Sequence, residues 1–133
     1  MIFPVKPLAW AIAAVAATTL TTGASADWLQ NDQAVRSLVA GKRVYLSVPL
    51  GGEFPLHYRR GGEVTGDGSG LGLGRYFAPK ETGEWWVDGG KLCQRFPTWY
   101  KSQVNCFRLR PVSETRLQWR RDDGYSGRAR IEP

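Results

Sequence analysis

The sequence predicts an all-β domain: an antiparallel meander of about eight strands, forming a small up-and-down barrel or a sandwich, with one short N-terminal helix in the mature chain. Three observations carry this expectation. Glycine-rich turns ("LGGE", "RRGGEV", "TGDGSG", "DGGK", "DDGYSG") recur about every 8 to 12 residues. The segments between them alternate apolar and polar residues, the period of a half-buried strand. Only one stretch, "NDQAVRSLVAGK", has helical spacing.

The elements follow in chain order. Lys6 precedes the apolar run "LAWAIAAVAA", which gives way to "TTLTTGASA" and then Asp27. A charged start, a short apolar core and a small-x-small site describe a signal peptide over 1–26. The run is shorter than the roughly 20 residues of a membrane span. No transmembrane span is therefore expected after cleavage, and no cysteine near Ala26 suggests a lipid anchor. The expectation is a periplasmic or secreted protein with a single β-rich domain over 27–133.

The helix has Asn31 or Asp32 as N-cap, Ala34, Val35, Leu38 and Val39 on one side, and Gly41 as its stop. Strands follow. "KRVYLSV" sets Val44, Leu46 and Val48 on one face, and "EFPLHYR" does the same with Phe54, Leu56 and Tyr58. In "TGDGSGLGLGRYF" the glycines at 66, 68, 70, 72 and 74 alternate, so no dinucleotide or phosphate-loop register is met. That stretch reads as a loop entering a strand with a flat glycine face, on which an aromatic ring can lie. No cofactor is implied.

"EWWVDGGKLC" is a hairpin signal about Gly89-Gly90. Its parity puts Trp85, Val87, Leu92, Gln94 and Phe96 inward and leaves Glu84, Trp86, Cys93 and Arg95 outward. With only two cysteines in an exported chain, Cys93 and Cys106 are expected to form one disulfide. Such a staple is worth about 3 kcal/mol. Two thiols and the single His57 do not make a metal site.

If the cysteines face each other on adjacent strands, Phe107 and Leu109 point in. Leu117 and Trp119 do so next, then Tyr125, Gly127, Ala129 and Ile131. The outer face then collects Arg95, Arg108, Arg110, Arg116, Arg120, Arg128 and Arg130 about Trp86. A one-residue bulge would flip part of that set. Trp99 and Tyr100, between the cysteines, are either loop aromatics packed on the sheet or a stacking surface for a sugar, with packing favoured.

The chain has 18 Lys and Arg against 12 Asp and Glu, a formal charge of +6. The excess is local: residues 27–89 hold seven basic and eight acidic residues, and residues 90–133 hold ten and four. That face is either a solvated surface or a site for an anionic partner, since arginine presents a planar fork to phosphate and carboxylate. In the periplasm the candidate anions are lipopolysaccharide, phospholipid headgroups and acidic glycans. Nucleic acid is not expected there.

Catalytic patterns do not assemble. A Cys–His nucleophile needs a free thiol, and neither Ser69 nor Ser126 lies in a G-x-S-x-G turn. Glu81 and Glu84 with Asp67 or Asp88 are a weak carboxylate set for glycoside hydrolysis.

The run "GRYFAPKETGEWWVDGGKLCQRFPTWYKSQVNCFRLR" resembles a family of small exported α-proteobacterial proteins without an assigned activity. The resemblance rests on a Gly-aromatic strand, a G-x-W-W-V-x-G-G-x-L-C hairpin and a second downstream cysteine. It implies a small β-rich exported domain with paired cysteines and carries over no catalytic residue. The functional expectation is a non-enzymatic periplasmic binding or envelope-associated module. The alternatives are an inhibitor or accessory protein docking on another exported protein, and a small glycan hydrolase.

Overall fold

A computed structural model describes residues 2–5, 12–16, 27–49, 51–69 and 80–133. Lys6, the expected cleavage site at Ala26, and Gly70, Gly72 and Gly74 lie outside the described residues. The helix α1 (Asp32–Val39) precedes eight strands. These are β1 (Lys42–Ser47), β2 (Glu53–Tyr58), β3 (Glu63–Asp67), β4 (Lys80–Asp88), β5 (Lys91–Arg95), β6 (Asn105–Pro111), β7 (Arg116–Arg121) and β8 (Ser126–Glu132). Each strand pairs antiparallel with the next, and β8 returns to β1, with Arg43 opposite Glu132 and Val44 opposite Ile131. The meander is therefore a closed barrel rather than a sandwich. Closure leaves no sheet edge unpaired.

The turns explain the register. Gly89 and Gly90 have φ of 58° and 75°, the left-handed pair that a two-residue hairpin requires. Asp88 consequently faces Lys91, Trp85 faces Gln94 and Trp86 faces Cys93. Cys93 faces Cys106 across β5 and β6 with their Cα atoms 4.0 Å apart, and the two form a disulfide.

Eight strands enclose a space that side chains just fill. Leu56, Val64, Trp85, Leu92, Leu109, Leu117, Ala129 and Ile131 are all buried there. The space left over is only about 30 Å³, on the order of one water molecule. The polar groups of this interior are those of Tyr58, Gln94 and the indoles of Trp85 and Trp119, of which the Trp119 N–H has no hydrogen-bond partner among the described residues. The Tyr58 hydroxyl donates to Gln94 Oε1 at 2.6 Å, and burial raises the Tyr58 pKa above its ordinary value. Trp85 is satisfied by donating its indole N–H to the Arg59 carbonyl at 2.7 Å. Its ring meets Tyr58 edge-on at 5.8 Å.

Both ends of the barrel are covered. At one end α1 lays Val35 and Val39 on the core. Asn31 caps it by accepting from Ala34 N–H at 3.1 Å. Asp32 instead ties the helix to the β4–β5 turn, accepting from Gly90 N–H at 2.5 Å. At the other end Trp99 packs on Phe54 and Phe96. A Cβ at Gly66 would come within 2.5 Å of the Trp99 ring, so the glycine makes room for it. Glu81 holds that loop by accepting from the Thr98 N–H and hydroxyl and from Trp99 N–H. Trp99 is thus a packing residue.

One inward assignment is corrected. Tyr125 is 67% exposed. It precedes β8 and belongs to a turn shaped by Asp123, which accepts from Tyr125 N–H at 3.3 Å. Alternation therefore does not reach it, and its ring lies against Arg121, 4.8 Å from the guanidinium carbon.

Candidate basic site on the outer wall

The seven arginines and Trp86 stand on the outside of the barrel, because strand alternation puts their neighbours inside. Their surroundings divide them. Arg130 is neutralised: it grips Glu53 with two bonds of 3.1 and 3.0 Å, lies 3.3 Å from Glu132 and stacks on Tyr45. These bonds lower the Glu53 pKa, while the Tyr45 hydroxyl, followed by Arg130, lowers that of Glu132. Arg95 is structural, binding the Ser102 carbonyl and hydroxyl at 3.1 and 2.9 Å. Arg108 donates to the Gly89 carbonyl at 3.1 Å and so holds the β4–β5 turn.

Trp86 is not the centre of the remaining cluster. It stands on β4, in line with Cys93 and Cys106, so the disulfide lies between it and β7. The aromatic residue among the arginines is Trp28. Ahead of the start of β5, Leu29 N–H donates to the Leu109 carbonyl at 2.7 Å, continuing the sheet beside β6. That bond sets Trp28 on the outer wall. The Arg120 and Arg110 guanidinium carbons lie 4.4 and 5.1 Å from its ring centroid. Periodicity gave no way to place Trp28, which lies ahead of the helix cap. A tryptophan between Ala26 and Asn31, outside any periodic segment, is its only sign in the sequence.

A hollow of about 290 Å³ opens here, lined by Trp28, Arg110, Gln118, Arg120, Ser126 and Arg128. The register assembles it: Arg108 faces Arg120, Arg110 faces Gln118, and Gln118 faces Arg128. Arg110 Nη2 donates to Gln118 Oε1, whereas Arg110 Nε is buried with no hydrogen-bond partner. Two carboxylates of the β7–β8 turn are engaged elsewhere. Asp122 binds Lys91 at 2.8 Å, and Asp123 binds Arg121 at 2.7 Å. The Arg121 bond is the main cause lowering the Asp123 pKa. Among the described residues, Arg110, Arg120 and Arg128 form no ion pair. Arg116, opposite Arg130 on the same wall, lines no part of the hollow.

Three guanidinium groups around an indole can bind an anion by charge-assisted hydrogen bonds and hold an adjoining flat or apolar part by stacking. His57 points outward on β2, as expected, away from this cluster. The described residues contain no free cysteine and no group of three or more His, Cys, Asp and Glu that could hold a metal. The sequence matches no protein-family model, and neither the curated proteins nor the solved structures provide a match.

Proposed function

We propose that the protein is a non-enzymatic, exported binding module that holds an anionic component of the cell envelope on its outer wall. The observation that carries this reading is the hollow in which Arg110 and Arg120 lie against the Trp28 ring and Arg128 lines the same space, none of the three in an ion pair among the described residues. Like charges so close repel one another, and a bound phosphate or carboxylate relieves that repulsion. The filled barrel directs the same conclusion outward, since about 30 Å³ holds no organic ligand. A bilayer-spanning barrel presents an apolar band to lipid, whereas this wall presents arginine. No helix among the described residues is long and apolar enough to cross a membrane.

The ligand class is a lipopolysaccharide phosphate, a phospholipid headgroup or an acidic glycan. The test is a titration of the protein with lipopolysaccharide, anionic vesicles and an acidic polysaccharide, each at low and physiological salt. Binding should weaken with salt, because exposed charge pairs are screened beyond a Debye length of about 8–10 Å. Arg120→Glu with Arg128→Glu should abolish it. Absence of binding to all three at low salt would reduce the wall to a solvated surface.

A second reading, docking on another exported protein, has its own observation. Tyr100 (53% exposed) and Tyr125 flank Arg121, at 5.5 and 4.8 Å from its guanidinium carbon. Tyrosine and arginine are the residues that anchor protein interfaces. Tyr100, Lys101 and Ser102 all have left-handed φ, of 56°, 55° and 62°, a conformation that costs non-glycine residues about 1–2 kcal/mol each. A stoichiometric protein captured from periplasmic extract, and lost in Tyr100→Ala with Tyr125→Ala, would favour this reading.

A further inference from the structure

A second hollow of about 280 Å³ lies over β1, β2 and β3, its middle strand β2 being three strands round the closed barrel from β7, the middle strand of the first. His57 is at its centre. Across the strands it faces Arg43 on one side and Thr65 on the other. Arg59 flanks it along β2, while Asp67 and Lys80 complete the rim. Thr65 points outward, since Val64 and Gly66 are the buried positions of β3. Its hydroxyl oxygen is nonetheless buried and has no hydrogen-bond partner. A buried hydroxyl left unpaired is unfavourable, and a ligand in the hollow that bonds to it would relieve that cost.

The charges around His57 leave one cation open. Asp67 accepts from the Ser69 N–H and hydroxyl at 3.0 and 2.6 Å and lies 3.7 Å from Lys80. Glu63 pairs with Arg59 at 3.4 Å. Glu132, opposite Arg43, is held by Tyr45 at 2.7 Å and by Arg130. Arg43 forms no ion pair or hydrogen bond among the described residues. We propose that this hollow binds a small oxyanion, sulfate or a phosphate ester, on Arg43, His57 and Thr65, with His57 gaining a proton as the anion enters.

The chemistry of each group fits. The guanidinium of Arg43 offers a planar pair of N–H donors, Thr65 offers a hydroxyl, and a protonated imidazole adds a charged donor. In the empty site partial burial, then Arg43 and Arg59, hold the His57 pKa below 6.5. An anion within about 4–6 Å opposes the two arginines and raises it. Binding therefore tightens as pH falls through the range between the bound and the empty values, and levels off outside that range. The sign for stability runs the same way. Without anion the unfolded chain takes the proton more readily, so stability is full above pH 6.5 and declines as pH falls through the folded value. Saturating anion offsets that decline.

His57 is the only histidine in the chain, so NMR of the untagged protein reads one imidazole titration without ambiguity. The experiment compares sodium sulfate with sodium chloride at matched ionic strength. Sulfate should raise the His57 midpoint saturably, by about one pH unit beyond chloride, which corresponds to tenfold tighter binding to the protonated form. Arg43→Gln should remove the difference between the salts, and Thr65→Val should reduce it. Arg120→Glu with Arg128→Glu should leave it intact, which separates this site from the one over β6 to β8. Glycerol phosphate, compared with sulfate at one fixed pH, distinguishes the sources: saturation at lower concentration points to an ester, and equal or weaker binding to the free ion. Equal midpoints in sulfate and chloride, or a sulfate effect that survives Arg43→Gln, would overturn the proposal.

Discussion

The inside and the outside of this barrel have opposite characters. Inside, Trp85, Tyr58 and Gln94 satisfy one another or the backbone, the indole N–H of Trp119 is buried without a partner, and about 30 Å³ is left. Outside, two hollows of about 290 and 280 Å³ are rimmed by cations, and each contains a buried polar atom without a partner, Arg110 Nε or Thr65 Oγ1. An eight-stranded barrel is wide enough either to fill itself or to hold one small ligand. Here aromatic residues and the plug at each end take the first course. The interior serves stability, and recognition is left to the walls.

The contrast is sharpest at two neighbouring residues. Trp85→Ala should destabilise the fold by about 3–5 kcal/mol, as a large-to-small change in a core. Trp86→Ala should cost far less, since its ring is on the outer wall. Urea unfolding of the two variants checks this, and equal losses would refute the inside–outside assignment of β4. The wall carries a covalent cross-link. Replacing Cys93 and Cys106 together by alanine should cost about 3 kcal/mol for a loop of this length, measured as the fall in unfolding free energy in urea, with the slope free to rise as the unfolded chain expands.

Smaller changes sharpen the contrast further. Tyr58→Phe removes the donor to Gln94 and strands a buried carbonyl, at a cost of about 1–3 kcal/mol. Adding Gln94→Leu should recover much of that loss, and a double-mutant cycle measures the coupling. Trp28→Ala should reverse the pattern. Loss of its contacts with Arg110 and Arg120 removes about 0.5–1 kcal/mol of stability, yet anion binding at the hollow should fall clearly. If Trp28→Ala unfolds the protein as Trp85→Ala does, Trp28 is a structural strap rather than part of a site.

The parity of β4 to β7 was legible in the sequence because strand alternation has a period of two and is pinned twice. Gly89-Gly90 sets the turn, and Cys93 with Cys106 sets the next register. Tyr125 broke the pattern because alternation says nothing about where a strand begins. The arginine face was legible as a set of outward side chains but not as a site. Which arginines remain unpaired depends on carboxylates far along the chain. Arg130 meets Glu53 because β8 closes on β1, which in turn pairs with β2.

The sequence by itself determined the all-β class, the meander, the inward and outward faces of the central hairpins, and the disulfide. These follow from local period, turn chemistry and a single pair of cysteines. Tertiary structure alone decided that the sheet closes, that side chains fill it, and that Trp28 rather than Trp86 lies among the arginines. It also placed His57 between Arg43 and Thr65. Each of those outcomes brings together residues from strands or segments whose separation in sequence carries no periodic signal. Contacts of that kind are selected by the geometry of closure, through which β8 meets β1, and by the segment entering α1, which lies beside β6.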